Sequence, residues 1–340
     1  MPLPPDTTQW QISVYRGFGF GETSGAGSGS LPGAGEAFTT NGGSPTRRVT
    51  SWSFGDGAVL LNDVLASFNR PERITALDSV LTSEGIGHDF ADGFGARVTR
   101  KITPRMSLEI GVDVSPTTYT VLPGAVTGIR ATSNSFVTAF DGLVTAGQGT
   151  AFTSPVLSSS FVTSNGTGLD LITTGAMVLG AKPIWRLRPY VTVGGGLAMG
   201  VGEATASLVG RYAFTLPSGG RVNETDAVTI RFKGGLGLVA LAGGGVQFRL
   251  SRTSGVQVDA RLLLVQNHVD TKVTTAPAVE ASSPADAIWS SLTPGIQFVT
   301  SPSTSLFSNL SAPALSGSRT LNGSGFTQRV SVTLGYYFRF

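Results

Sequence analysis

The chain has 340 residues, of which 13% are charged, with a net charge of +3 and a mean hydropathy of +0.17. That is too apolar for a disordered chain, the 46 glycines keep no three-residue period, and the scattered cations give no nucleic-acid footprint. No cysteine is present, which excludes disulfides and thiolate metal sites, and no apolar run reaches the ~20 residues of a spanning helix. A membrane could therefore be crossed only by a closed barrel, because lipid leaves open sheet edges unsatisfied.

Met1-Pro-Leu-Pro-Pro lacks the basic start and apolar core of a signal peptide. The expectation is a mature form whose leader has been removed. The first strand is expected at 10–20. There Trp10, Ile12, Val14, Phe18 and Phe20 alternate with Gln11, Ser13, Tyr15, Gly17 and Gly19. Apolar and small or polar residues in strict alternation suit a strand between lipid and a polar lumen. A long stretch at 21–88 follows. Strands at 89–102 and 106–116 form the clearest hairpin, joined at Thr103-Pro104-Arg105.

After a second long stretch, 117–168, a less clearly patterned strand is expected at 169–183. A short basic turn, Trp185-Arg186-Leu187-Arg188, leads to a fifth strand at 190–205. The sixth is read as one continuous strand at 228–250. In it Ile230, Phe232, Leu236, Leu238, Val246, Phe248 and Leu250 share one face, with Arg231, Lys233, Gln247 and Arg249 on the other. A turn at 251–255 precedes the seventh strand, 256–269. After 270–324 the eighth strand occupies 326–340 and ends the chain at Phe340. The three connections at 103–105, 185–188 and 251–255 are short, and they alternate with long ones at 21–88, 117–168, 206–227 and 270–324. Small membrane barrels alternate short turns on one side with long loops on the other. The chain is accordingly read as one domain, 1–340: an all-β, eight-stranded antiparallel up-and-down transmembrane β-barrel.

In the last strand Val332, Leu334, Tyr336, Phe338 and Phe340 alternate without a break. This resembles the C-terminal assembly signal of bacterial outer-membrane proteins. The resemblance is to the eight-stranded barrels of the OmpA-type transmembrane domain and related small porin-family barrels. It implies a Gram-negative outer-membrane location with both termini periplasmic. The partners it implies are outer-membrane lipid, lipopolysaccharide and the barrel-assembly machinery, with the extracellular partner unspecified.

An eight-stranded barrel is just wide enough for side chains to fill it. The residues expected to face the lumen include Arg97, Lys101, Glu109, Asp113, Arg231, Lys233, Asp259 and Arg261. Both signs are present, so the set reads as a salt-bridge plug, with a charge-lined ion path as the alternative. The long loops are expected to hold short helices at 57–68, 72–83, 134–146 and 283–292, packed as a cap over the outer mouth. Stretches 21–43 and 302–318, rich in Gly, Ser and Thr, read as surface loops.

Little points to catalysis. His268 and Asp270 fall on one strand face near the outer rim, but nothing selects a serine partner for a rim hydrolase. Gly194-Gly195-Gly196 and Gly243-Gly244-Gly245 lack the context of a phosphate loop and read as close backbone approaches. Phe54-Gly55-Asp56-Gly57 lacks the alternating acids of a calcium loop. The expectation is a non-enzymatic, structural or surface-presenting barrel without cofactor or metal, with a small diffusion channel as the alternative.

Overall fold

The computed structural model describes residues 9–20, 22–26, 37–39, 45–47, 51–78, 80, 84–90, 92–146, 153–215, 221–275, 278–279 and 318–340. The chain enters through β1 (Trp10–Phe20) and β2 (Glu22–Ala26), then a small ribbon of β3 (Ala37–Thr39) and β4 (Pro45–Arg47). Helix α1 (Gly55–Ser67), β5 (Glu84–Phe90), β6 (Gly93–Lys101) and β7 (Met106–Val121) follow, and then helix α2 (Pro123–Ala146). The remaining strands are β8 (Thr153–Ser164), β9 (Gly166–Gly180), β10 (Leu187–Val201), β11 (Glu203–Thr215), β12 (Arg221–Gly234), β13 (Leu236–Arg249), β14 (Ser254–Thr275), β15 (Ala278–Val279) and β16 (Ser318–Arg339).

Eight of these strands close a barrel. The cyclic order is β1, β6, β7, β9, β10, β13, β14, β16 and back to β1, every pair antiparallel. Closure satisfies every strand edge. Strand β1 begins and β16 ends at the same end of it, where Trp10 and Phe340 exchange backbone hydrogen bonds of 3.1 and 3.0 Å. The three short turns lie at that end too. Ile102 and Thr103 donate to the Met106 carbonyl, Ile184 pairs with Leu187, and Leu250 and Ser251 donate to Ser254.

At the other end the strands continue into a cap. The β14–β16 ladder runs unbroken from Ser254↔Phe338 to Thr274↔Ser318. Strand β12 joins the upper part of β14, β11 joins β12, and β8 joins β11. Strand β5 lies against the upper end of β7. The long connections therefore carry strands as well as helices, which the sequence reading did not anticipate. The expected strand 190–205 is two strands broken at Gly202, and 228–250 is two strands broken at Gly235.

These breaks have a geometric meaning. Met199 pairs with Leu236 and Glu203 with Lys233, so between these pairs three residues on one side oppose two on the other. Because strand side chains alternate, the missing residue turns over the faces of one strand. Ile230 and Phe232 are buried, while Leu236 and Leu238, of the same parity, are exposed. Gly200 and Gly234 still carry the ladder across the kink, donating to the carbonyls of Gly235 and Gly202. The Tyr119 ring fills the junction. A Cβ at Gly202 would sit 2.3 Å from that ring, and one at Gly200 or Gly234 2.5 Å from its hydroxyl oxygen. A side chain at any of the three would displace the tyrosine.

The cap has an apolar interior. Strand residues Ala204, Ala206, Leu208, Val228, Ile230 and Phe232 pack with Tyr119, Ala125 and Ile129. Helix α2 starts at a proline, whose fixed φ suits a first helical position. It buries Ala125, Ile129, Phe136, Phe140 and Leu143, a stripe at three- and four-residue spacing. Phe140 stacks on Tyr212 at 4.0 Å between centroids, beside Trp52, Leu61 and Leu65. Helices expected at 57–68 and 134–146 are thus present as α1 and α2, the second one longer than expected. The segment expected as a helix at 72–83 is non-helical through Ala76, although Ile74 and Leu77 are buried. The expected helix at 283–292 lies outside the described residues. Of 21–43 and 302–318, only short strand segments are described.

Candidate functional site: the barrel lumen

Inward side chains of the barrel stack in three layers. The central layer is ionic. Arg97 on β6 reaches across to β14, its Nη1 2.6 Å from Asp259 Oδ2, and its Nε is 3.8 Å from Glu109 Oε1 on β7. Arg261 closes the ring, with Nη1 2.8 Å from Glu109 Oε1 and Nε 3.0 Å from Asp259 Oδ1. All four side chains are buried. Tyrosines extend the layer: the Tyr190 hydroxyl on β10 donates to Asp259 at 3.0 Å, and the Tyr15 hydroxyl on β1 donates to Asp113 at 2.6 Å. The Arg97 guanidinium lies 3.8 Å from the Tyr15 ring centroid. Glycine makes room for this packing, since a Cβ at Gly95 would lie 2.2 Å from the Tyr15 ring. Five of the eight strands are joined through this one layer.

Buried ions persist when paired and hydrogen-bonded, and removing one partner strands the other. In the ring of two guanidiniums and two carboxylates, each ion faces at least one of opposite charge.

The layer nearest the termini is built from amides. Arg339 donates to Gln11 at 3.0 Å and to Gln247 at 2.7 Å, and Gln11 also meets Gln257. Toward the cap, Arg329 donates to Ser115 at 2.9 Å, and the buried Asp170 carboxylate lies close to Tyr119.

Of the residues expected in the lumen, Arg97, Glu109, Asp259 and Arg261 come together, and Asp113 joins them through Tyr15. Lys101 faces inward at the terminal mouth, in an open hollow shared with Gln9, Thr99, Ser107, Arg188 and Arg339. Arg231 and Lys233 do not line the lumen. They are exposed on the outside of the cap, Lys233 3.9 Å from Glu203. The break at Gly235 is the reason, since it turns over the faces of β12 relative to β13. The sequence reading missed Tyr15 and Tyr190 as charge partners, and Asp170, Arg329 and Arg339 altogether. Arg329 and Arg339 sit opposite in parity to the terminal apolar series, and that parity marks them as inward.

Val332, Leu334, Tyr336, Phe338 and Phe340 all point outward, with Tyr336 edge-on to Phe338 at 4.8 Å. They belong to an exposed apolar belt to which all eight barrel strands contribute. Examples are Val14, Val98, Ile110, Leu179, Val193, Leu238, Leu262 and Leu334. In the glycine triplets, a Cβ at Gly194 would lie 2.1 Å from the Gly175 carbonyl oxygen and one at Gly243 2.4 Å from that of Ala260, so backbone does approach closely there. His268 and Asp270 lie on β14 above the barrel, in register with Ser324 and Asn322.

The cap holds a second buried polar cluster. Asp226 accepts from the Ser51 hydroxyl at 2.8 Å, from the Trp52 backbone N–H at 2.7 Å and from the Ser53 hydroxyl at 3.4 Å. Trp52 Nε1 donates to the Tyr212 hydroxyl at 2.9 Å, and that hydroxyl donates to Glu224. Burial pushes the Asp226 carboxyl up to about 6, against the pull of these three donors. The cluster pins residues 51–53 to β12 beneath the helices.

No family model and no curated protein matches the chain. Among solved structures it is similar to the outer-membrane protease OmpT from Escherichia coli, at 5% identity over 98% of this chain and 97% of that one, with a TM-score of 0.24. The toluene transporter TodX of P. putida is similar at 9% identity over 99% of this chain and 91% of that one, with a TM-score of 0.19. The barrel is established by its own strand pairing.

Proposed function

We propose that this chain is an outer-membrane β-barrel of the small, OmpA-like kind, with a closed bore, that holds a folded cap at the cell surface without catalysing a reaction. The carrying observation is the ionic central layer: Arg97, Glu109, Asp259 and Arg261 pair across the lumen. Membrane insertion is supported by the outer belt, which no soluble monomer would leave exposed to water. The shared position of the termini and short turns supports a periplasmic placement for that end, with the cap outside. In this reading the outward series ending at Phe340 engages the barrel-assembly machinery, and the belt meets outer-membrane lipid and lipopolysaccharide. A porin-like channel would require the ionic ring to part.

The test is refolding into lipid followed by single-channel recording in a planar bilayer. A folded barrel migrates differently on a gel before and after boiling, and the expected result is that shift together with no steady conductance. Steady ion-selective conductance would replace the closed bore with a channel. Absence of the gel shift would overturn the membrane barrel.

A further inference from the structure

Among the described residues, the charged side chains at the barrel end where β1 begins and β16 ends are all basic. The first short turn and its flanks supply Arg100, Lys101 and Arg105, and the second supplies Lys182, Arg186 and Arg188. The third adds Arg249 and Arg252, and Arg339 lies on β16. Among the described residues no Asp or Glu lies between this rim and the level of Glu109 and Asp259. The described carboxylates sit in the lumen, at the far border of the barrel and in the cap instead.

Five of these cations, Arg100, Arg105, Lys182, Arg186 and Arg252, are exposed, and they stand among exposed apolar groups. The Arg100 guanidinium lies 5.3 Å from the Trp10 ring centroid and that of Arg186 5.4 Å from the Trp185 ring. Trp185 is 76% exposed and Ile184 70%, at the tip of the second turn, where Trp185 holds a φ of 56°. Leu250 and Phe340 are exposed at the same level.

Crowded like charges repel, so the ring favours anions close by. Its setting specifies which anions. Tryptophans at the border of an apolar belt mark the level where acyl chains give way to headgroups. Arginine lays its apolar stem along such a border and carries its guanidinium to the phosphates, whose oxygens it grips in pairs. A soluble polyanion would leave Ile184, Trp185 and Phe340 in water.

We propose that this rim is a docking ring for the anionic phospholipid headgroups of the leaflet in which the turns lie. This rests on the membrane-barrel reading above and adds a lipid preference to it.

The experiment compares the full chain refolded into phosphatidylcholine vesicles containing equal mole fractions of either brominated phosphatidylglycerol or brominated phosphatidylcholine. Tryptophan quenching, to which Trp10 and Trp185 contribute at the rim, reports local lipid occupancy. The expected result is a preference for phosphatidylglycerol of roughly fivefold, the factor contributed by one basic group near an anionic surface. A quadruple variant, Arg100→Gln, Arg105→Gln, Arg186→Gln and Arg252→Gln, is expected to lose the preference while keeping the gel shift of the folded barrel. Equal quenching by both lipids in the parent chain, or an undiminished preference in the folded variant, would overturn the inference alone. So would binding of inorganic polyphosphate without lipid preference. Failure to fold into any vesicle would overturn the membrane reading and the inference with it.

Discussion

Below Gly202 and Gly235 the strands turn Val193, Leu197, Leu236 and Leu238 outward and enclose Arg97, Glu109, Asp259 and Arg261. Above those glycines the arrangement is inverted: Leu208, Val228, Ile230 and Phe232 are enclosed, while Arg211, Arg231, Lys233 and Lys272 face out. Barrel and cap share their backbone ladders through the β14–β16 hairpin, so the difference is not one of topology. It follows the solvent that each half is built to meet. Water outside the cap favours an oily interior, and in the proposed membrane setting lipid outside the barrel would leave the polar groups only the lumen. The junction is where the inversion is accomplished, by dropping one residue from one strand of a pair.

If this comparison is right, charges in the two halves should respond very differently to substitution. The largest effect belongs to the lumen. Asp259→Ala leaves Arg97 and Arg261 buried and short of a carboxylate. Breaking a buried pair in this way costs about 3–5 kcal/mol. Urea unfolding of the refolded barrel, followed by the loss of the gel shift, should show a midpoint lowered accordingly. An unchanged midpoint would mean that the ring does not hold the strands together.

A smaller effect is expected in the cap, and its pH dependence separates it from the first. The Asp226 carboxyl is raised to about 6 from its ordinary value of 3.8. A carboxyl raised on folding favours the protonated folded state. Its contribution is therefore fully present below the unfolded value and is lost as pH rises through about 6. Integrated over that window the change is roughly 3 kcal/mol. Cap unfolding, read by the fluorescence of the buried Trp52, should weaken between pH 4 and pH 7 by an amount of about that order. Asp226→Asn keeps the shape of the group and removes its titration, so it should flatten the dependence. A profile unaffected by Asp226→Asn would assign the titration to another group.

The smallest effect is expected on the outside of the cap. Arg231→Gln and Lys233→Gln remove exposed charges, for which changes within about 0.5 kcal/mol are usual. A cost approaching that of Asp259→Ala, in the same urea series, would place these residues inside the lumen after all and contradict the turned-over face of β12.

The sequence alone determined the barrel. Alternation in strands such as 10–20, 106–116 and 326–340, closed by short turns at 103–105, 185–188 and 251–255, specified eight strands, their order and their lipid-facing side. It did so because a period of two is a local property that every residue of a strand reports. Five of the eight expected lumen charges were readable in the same way, as inward members of regular strands that end in one connected layer.

The tertiary structure decided what parity could not carry past a break. Residues 228–250 read as one strand because Ile230 through Leu250 keep even parity, and only the pairing of three residues against two shows the faces exchanging at Gly235. The same limit hid Tyr190 and Tyr15, whose roles depend on carboxylates far off in the chain, Asp259 and Asp113. It hid the cap strands as well. In the cap the inward residues are mostly apolar and the outward ones polar or charged, the pattern of any soluble sheet. That these segments form one sheet continuous with the barrel follows only from the register of β12 on β14, a contact between distant parts of the chain that local alternation does not encode.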